Sequence, residues 1–551
     1  MENLSLLYPS GYGEASRASH RMKNYDFVKE LQLESLVVLV KDGYRGMTNL
    51  KLQDFFSTDE EVLRYRLDIV EDILKNREWY DVFCKAVPTI QNVADMRRSM
   101  NGEFSVESAL GSIRFLEMYI EIVDLFAENI LVLETDSKGL RALQDKVREV
   151  AEGEEYRNLK KELAREETNF GLVKSITLGI NLDETLHVQE AGIVSVNMER
   201  FHPGTVMDRL LKKTGKESMS YMTPLFSINK GLHIGDAKAV ETSARSALNT
   251  IFARTIRSFG PAVQKYFSLN TSWLVQILDD IRFLTAGVKF ILDMEKKGFF
   301  FCKPEVALMD EKKCDLTEVY NPVLAVKEVE KTVVSNSFSY DERGRFYLVT
   351  GPNHGGKSIF AYSVGMAQAL FQLGLFVPAR AARISPVTGI FTHFPVSDEN
   401  NYGKGRLESE CARLGKIMEV LEDTDILLMD ESFASTSGME AGYIASEVLS
   451  NIGVIGCGGI FVTHIHDLTQ KLEEYNHYPG NRGKIDNLVA QMEDKEGGIR
   501  SYKVERTTPD GLSYARDIAA RYGLLCRLPG YADHDIMNCA DAQAGHQPGG
   551  W

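Results

Sequence analysis

The chain has 551 residues, 44% of them apolar, and a formal net charge of −15. That length exceeds what one core normally serves and implies about two to four domains of about 100 to 200 residues each. No apolar run reaches the roughly 18 residues of a membrane span, and the N-terminus lacks the basic-then-apolar pattern of a signal peptide. Cysteines at 84, 302, 314, 411, 457, 526 and 539 form no CxxC pair and no zinc spacing, so they read as reduced thiols. The expected location is therefore cytoplasmic or nucleoid-associated, with no membrane partner. The acidic balance argues against a broadly basic nucleic-acid surface, because phosphate neutralisation supplies most non-specific affinity, and it leaves room for a local patch.

In chain order, residues 1–57 lead into a helical stretch over 58–169. Thr58 with Glu61 spells a capping box, and Leu63, Leu67, Val70 and Leu74 fall on one helical stripe. Leu116, Tyr119, Val123, Phe126 and Ile130 form a second stripe, and Leu140, Leu143, Val147 and Val150 a third. The period then changes. Lys174 to Asn181 and Leu186 to Val196 alternate β-branched and polar residues around Gly179, Asp183 and Gly192, which predicts short strands. The basic cluster Arg209, Lys212, Lys213 and Lys216, with Lys230 beyond, lies in the same 170–235 insertion. Read from charge alone, such a run is more often a solvated face than a binding site. Helical periodicity resumes near Val240 and runs to about Lys297, broken at Gly260-Pro261, within a returning segment at 236–310.

The segment 311–530 carries the chemistry. Phe346 to Thr350 is a β-branched and aromatic run that predicts a buried strand; Gly351-Pro352-Asn353-His354-Gly355-Gly356-Lys357-Ser358 follows; then Phe360, Val364, Ala367 and Phe371 recur at helical spacing. Strand, G-x-x-x-x-G-K-[ST] loop and helix in that order make a phosphate-binding loop. Its glycines let backbone N–H groups turn onto a nucleotide phosphate, Lys357 reaches the β- and γ-phosphates, and Ser358 can ligate Mg²⁺. Downstream, Ile426 to Asp430 is an apolar strand ending in two acids. Asp430 then holds Mg²⁺ and Glu431 orients the attacking water. Gly459 to Val462 predicts another strand, leading into Thr463-His464, where His464 is placed to sense the γ-phosphate. Residues 531–551 show little apolar periodicity and read as disordered, and His534, Cys539 and His546 form no ligand pattern.

These residues carry a family resemblance. Gly351 to Ser358 resembles the GPNM-x-GK-[ST] loop of the MutS family of DNA mismatch repair ATPases, with His354 where the family usually has Met. Gln368 to Ala379 is similar to the helix and Gly-x-Phe-Val-Pro-Ala turn that follow that loop, and Ala382 to Ile384 with Gly389 to Thr392 resembles the next strand region. Asp430-Glu431 with Ser435-Thr436-Ser437 resembles the family's Asp-Glu-x-x-x-x-Thr-Ser segment, whose second part faces the partner subunit. Phe461 to His464 resembles its Ala-Thr-His switch, and Phe56 to Leu74 its entry to the core domain, including Thr58-Asp59, Arg66 and Val70-Glu71. The likeness spans about residues 20 to 528.

The resemblance implies a multidomain α and α/β protein: a helical core and lever, a small clamp insertion, then an ABC-type P-loop α/β ATPase domain. It implies ATP and Mg²⁺ as cofactors, a homodimer with composite ATP sites, and DNA gripped through its backbone by the clamp, with Arg209, Lys212, Lys213 and Lys216 as the contacts. Three departures qualify it. The chain starts almost at the core, so the Phe-x-Glu mismatch wedge is expected to be absent; Phe115-Leu116-Glu117 and Phe126-Ala127-Glu128 match the tripeptide but fall inside one predicted helix. The signature loop shown to the opposite nucleotide usually carries Gly-x-Ser-Thr-Phe, whereas here Gly403, Gly405, Arg406 and Leu407 stand there without the hydroxyl donor. Backbone N–H groups of Gly405 and Arg406, or the Arg406 guanidinium, would then meet phosphate charge. The chain also ends soon after Asp510 to Ser513 and the predicted helix Ala515 to Tyr522, so a C-terminal dimerising extension is expected to be lacking. The function implied is a DNA repair or recombination ATPase that senses DNA structure rather than a mismatched base. The alternative is a ribosome or RNA quality-control ATPase driven by the same dimeric engine, which the acidic balance slightly favours, whereas the clamp-like insertion favours DNA. A transporter ATPase is disfavoured, since no Leu-Ser-Gly-Gly-Gln signature precedes Asp430.

Overall fold

The computed structural model describes residues 4–39, 50–99, 106–170, 175–182, 184, 188–197, 272–327, 333–352, 355–395, 405–433, 436–494 and 499–507. The chain divides into two compact units, the first made of Met1–Arg21, Glu34–Val306 and Leu370–Val377, the second of Met22–Leu33, Ala307–Ala369 and Pro378–Trp551.

The first unit is mainly helical. Its described long helices are α1 (Glu60–Lys75), α2 (Glu78–Ser99), α3 (Val106–Asn129), α4 (Lys138–Glu152), α5 (Glu154–Phe170) and α6 (Ser272–Lys296), with α2 packed against both α3 and α6. The three sequence stripes face the core: Leu63, Leu67 and Val70 on α1, Leu116 to Ile130 around α3, and Leu140, Leu143 and Val147 on α4 are buried. Phe115, Leu116 and Phe126 are among them, so both Phe-x-Glu tripeptides are packing residues on α3. One correction concerns the start of α1. The N-cap is Asp59, not Thr58: Asp59 is extended (φ −87°, ψ 123°) and its carboxylate accepts from the N–H groups of Glu61 and Val62. An Asp at the last extended position satisfies two orphan donors and places a negative charge at the helix's positive end. Thr58 is buried one residue earlier, its N–H bonded to His20 O.

On the same helix Arg66 is fully buried. Its guanidinium donates to the carbonyls of Leu7 (2.9 Å), Phe55 and Leu373 (3.4 Å), so the charge is met by backbone dipoles from three separated segments. Beyond α5, β1 (Ser175–Leu182) and β2 (Val188–Asn197) pair antiparallel from Ser175↔Asn197 to Leu182↔Val188, close to the strands expected from alternation. Residues 198–271, with the basic cluster Arg209, Lys212, Lys213 and Lys216, lie outside the described residues.

The second unit is α/β. Strands β3 (Cys314–Val319), β4 (Asn336–Phe338) and β6 (Ala381–Ile384) pair antiparallel, with β3 between the other two. The main sheet comprises β5 (Phe346–Thr350), β7 (Ile390–His393), β8 (Ile426–Asp430), β9 (Gly458–Val462), β10 (Ile485–Asp494) and β11 (Ile499–Glu505), in the order β11-β10-β5-β9-β8-β7. Every neighbour pair is parallel except β10–β11. Every residue of β5, β8 and β9 is buried, as expected for parallel strands covered on both faces. On one face, Leu427, Met429 and Phe461 pack with Ala441, Ala445 and Leu449 of α9 (Gly438–Ile455) and with Leu414 of α8 (Arg406–Val420). Helix α7 (Lys357–Gln372) approaches β8 so closely that a Cβ on Gly365 would lie 2.4 Å from Leu428 Cδ1. A glycine there lets the helix carrying Ser358 sit down on the strand that ends in Asp430. Among the described residues no helix is long and apolar enough to cross a membrane.

Candidate nucleotide site

The parallel register puts Val349, Asp430 and Val462 side by side on β5, β8 and β9, so the three chain segments that follow leave the same sheet edge. In open α/β sheets that edge, outside the carboxyl ends of the strands, is where ligands bind. The hydrogen bond from Thr463 N–H to Val349 O (3.1 Å) and from Glu431 N–H to Val462 O (2.9 Å) lock the three exits together.

From β5 the chain turns at Gly351, whose φ of +126° and a Cβ position only 2.9 Å from Ala490 O exclude a side chain. Gly356 (φ +86°) makes the second left-handed turn, just before α7 begins at Lys357. Asn353 and His354 lie outside the described residues. Lys357 is 4% exposed, and its ammonium donates to Gly351 O and Pro352 O, each at 2.9 Å. The lysine thus braces the loop from inside, with its charge directly under the loop's backbone.

Asp430, at the end of β8, is 5% exposed. Its two oxygens are each taken: Ser358 Oγ donates to Oδ1 (2.8 Å) and Tyr362 OH to Oδ2 (2.9 Å). Burial, with the Glu431 charge beside it, raises the Asp430 pKa, against the opposing pull of these two donors and of Lys357. Burial likewise pushes the Tyr362 phenol up, so it remains a donor. Glu431 follows with φ +47° and a half-exposed carboxylate, whose Oε1 is 2.8 Å from His464 Nε2. A carboxylate only accepts, so Nε2 is the donor.

The chain past Glu431 is strained, since Phe433 is also left-handed at φ +68°. Non-glycine residues in that region cost of order 1–3 kcal/mol each and persist only where surroundings over-determine them. Three contacts do so. Ser432 Oγ lies 2.7 Å from His393 Nδ1, His393 Nε2 lies 3.2 Å from Glu410 O, and Phe433 N–H donates to Glu410 Oε2 at 3.0 Å. Because the Glu410 carbonyl can only accept, Nε2 carries the proton and Nδ1 accepts from Ser432. Burial, and secondarily the charge of Arg413, lowers the His393 pKa to about 4, so this imidazole is neutral at pH 7.

Of the residues expected from sequence, Lys357 and Ser358 reach this edge on α7, Asp430 at the end of β8, Glu431 just after it, and His464 after β9. Gly405 is the N-cap of α8, with open space around its Cβ position; the Arg406 side chain and residues 396–404 lie outside the described residues. Ser437 caps α9, accepting from Glu440 N–H. Sequence reading missed Tyr362, although it stands four residues after Ser358 and so on the same face of α7. It also missed His393 and Ser432.

Comparison with known proteins extends this picture. Residues 347–521 match the family model for MutS domain V, and residues 58–297 match that for the MutS2 N-terminal domain. A DNA mismatch repair protein MutS of Petrotoga mobilis is 24% identical over 554 aligned residues, covering 91% of this chain and 64% of that protein. Another, of Ruminiclostridium cellulolyticum, is 31% identical over 247 residues, covering 44% of this chain and 27% of its own length. DNA mismatch repair protein MutS 1 of Halobacterium salinarum is 30% identical over 253 residues, 45% of this chain and 27% of the relative. The chain therefore spans less than two thirds of the length of each of these relatives.

Proposed function

The chain belongs to the MutS family, and from that premise we propose that it is a Mg²⁺-dependent ATPase whose turnover drives a DNA-binding cycle. The observation that carries the reading is the convergence of Lys357, Ser358, Asp430, Glu431 and His464 at one edge of a parallel sheet. Each has the chemistry its place requires. The loop from Gly351 to Ser358 binds the triphosphate through backbone N–H groups and the Lys357 charge.

Ser358 Oγ and Asp430 Oδ1, 2.8 Å apart, are hard oxygen donors of the kind Mg²⁺ prefers. Such a pair would suit an ion held by one carboxylate, a hydroxyl and phosphate oxygens. When bound, Mg²⁺ neutralises charge on the β- and γ-phosphates. Glu431, half-exposed at the edge, orients the attacking water, and His464, bonded to it, registers the γ-phosphate. Two such heads would pair, with Gly405 and Arg406 of one chain meeting the nucleotide of the other.

DNA would be held by its phosphates through Arg209, Lys212, Lys213 and Lys216, so that structure rather than base identity is sensed. The test is ATP turnover measured side by side with homoduplex, mismatched, branched and single-stranded DNA and with ribosomal particles. Stimulation by branched or duplex DNA without mismatch preference is expected; stimulation by ribosomal particles alone would transfer the reading to RNA quality control.

A further inference from the structure

Glu431 sits in a turn that its own sequence does not favour. Two of three consecutive residues, Glu431 and Phe433, are left-handed without being glycine, and the residue between them is buried. What keeps the turn in place comes from elsewhere in the second unit. Ser432 Oγ–H is received by His393 Nδ1 at the end of β7, His393 Nε2–H is received by the Glu410 carbonyl in α8, and the Glu410 carboxylate receives Phe433 N–H. The contacts run around a closed loop: turn to β7, β7 to α8, α8 back to the turn. Arg413, one helical turn beyond Glu410, adds a bond to Phe394 O (2.5 Å), so α8 is pinned to the end of β7 twice. His393 and Ser432 are 1% and 6% exposed, so water does not compete for these bonds.

We propose that His393, Ser432 and Glu410 are positioning residues for hydrolysis, a tether by which helix α8 holds the strained turn and thereby aims the Glu431 carboxylate. The inference rests on the reading of Glu431 as the residue that orients water. None of the three touches the reacting atoms; each acts through Glu431. Helix α8 begins at Arg406, capped by Gly405, so a displacement of its N-terminus reaches Glu431 through this tether without passing through Lys357, Ser358 or Asp430. The tether therefore sets the hydrolytic rate and leaves the binding of ATP alone.

The experiment compares wild type, Ser432→Ala and His393→Gln in the full chain, each alone and combined with Glu431→Gln. Binding of Mg-ATP is read by calorimetry and hydrolysis by single turnover. Ser432→Ala is expected to bind ATP within about twofold of wild type and to hydrolyse it about tenfold more slowly, a size in keeping with a small misplacement of a catalytic group. In the Glu431→Gln background the same change is expected to do nothing further, because residues acting through one group are not additive. A wild-type rate in Ser432→Ala, or a full additional loss in the double variant, would overturn the proposal.

Hydrogen exchange reads the tether without hydrolysis. Peptides spanning 431–433 should exchange faster in both single variants, and unchanged exchange in both overturns the tether whatever the nucleotide does. Absence of any Lys357-dependent hydrolysis by wild type would instead refute the ATPase reading, and the exchange result would still decide the tether.

Discussion

Acidification is expected to weaken the second unit in part through His393, with His466, whose pKa burial also lowers, acting in the same direction. His393 is buried, faces Ser432 from the turn after β8 and Glu410 and Arg413 from α8, and has its pKa lowered from 6.5 to about 4, first by burial and then by the Arg413 charge. The fold thus favours the neutral imidazole. As pH falls below 6.5 the unfolded chain takes up a proton that the folded one refuses, so stability declines between pH 6.5 and about 4 and the contribution levels off below that. At 1.36 kcal/mol per unit, the loss at pH 5 relative to pH 7 is about 2 kcal/mol. Protonation would also reverse the bond to Ser432, with Nδ1–H donating to the hydroxyl and the hydroxyl turning to His393 O, 3.4 Å away. The assay is urea unfolding at pH 7 and pH 5, with exchange labelling of peptides from β5 and β8 reporting this unit, in wild type and His393→Gln. Wild type should lose about 2 kcal/mol more than the variant over that interval. Equal losses would show that His393 does not carry the effect, and an imidazole titrating near 6.5 by NMR would refute the premise.

Lys357→Ala should lose tight ATP binding, because it removes the charge under the loop, whereas Glu431→Gln should bind ATP and stall; unchanged steady-state turnover in Glu431→Gln would sink its assignment. Asp59→Ala should destabilise the first unit by about 1 kcal/mol, the usual worth of an N-cap, while Thr58→Ala at the neighbouring position should not mimic it through loss of a cap bond; thermal unfolding of both variants decides between them. Light scattering of the Glu431→Gln protein with and without Mg-ATP should show an ATP-dependent dimer, and a monomer in both conditions at micromolar concentration speaks against paired heads. Duplex binding measured by anisotropy should fall with salt as expected for about three or four neutralised phosphates, and replacing Arg209, Lys212, Lys213 and Lys216 by Ala should flatten that slope. A mismatch preference above roughly tenfold, or about 1.4 kcal/mol, would show that bases are read elsewhere in the chain.

What the sequence disclosed and what it withheld separate along a physical line. The strand, loop and helix around Gly351 to Ser358 were legible because they are contiguous: Phe346–Thr350, the loop and the stripe through Phe360, Val364 and Ala367 are neighbours in the chain before they are neighbours in space. The acids after Ile426 were legible for the same reason, as a fully apolar run fixes where a buried parallel strand ends. The cap of α1 was misread by one residue because Thr58 and Asp59 both carry capping side chains and the local spacing fits either. The tie is broken at long range, where Tyr12 OH donates to Asp59 Oδ2 at 2.9 Å and the Thr58 N–H is already spent on His20 O. Arg66 shows the same limit, since a charge inside an apolar stripe looks like an exposed interruption until three carbonyls from distant segments converge on it.

The turn after Asp430 is the sharpest case. Nothing in Glu431-Ser432-Phe433 announces two left-handed residues, because the usual sign is glycine and none stands there. The partners that hold the turn are 39 and 23 residues away in sequence, on a strand end and in a helix, and no periodicity links them. Motifs record which groups must meet a ligand. The constraint that aims those groups is written in contacts between elements, so it becomes visible only when the backbone angles at Glu431 and Phe433 are set beside the bonds that reach them from His393 and Glu410.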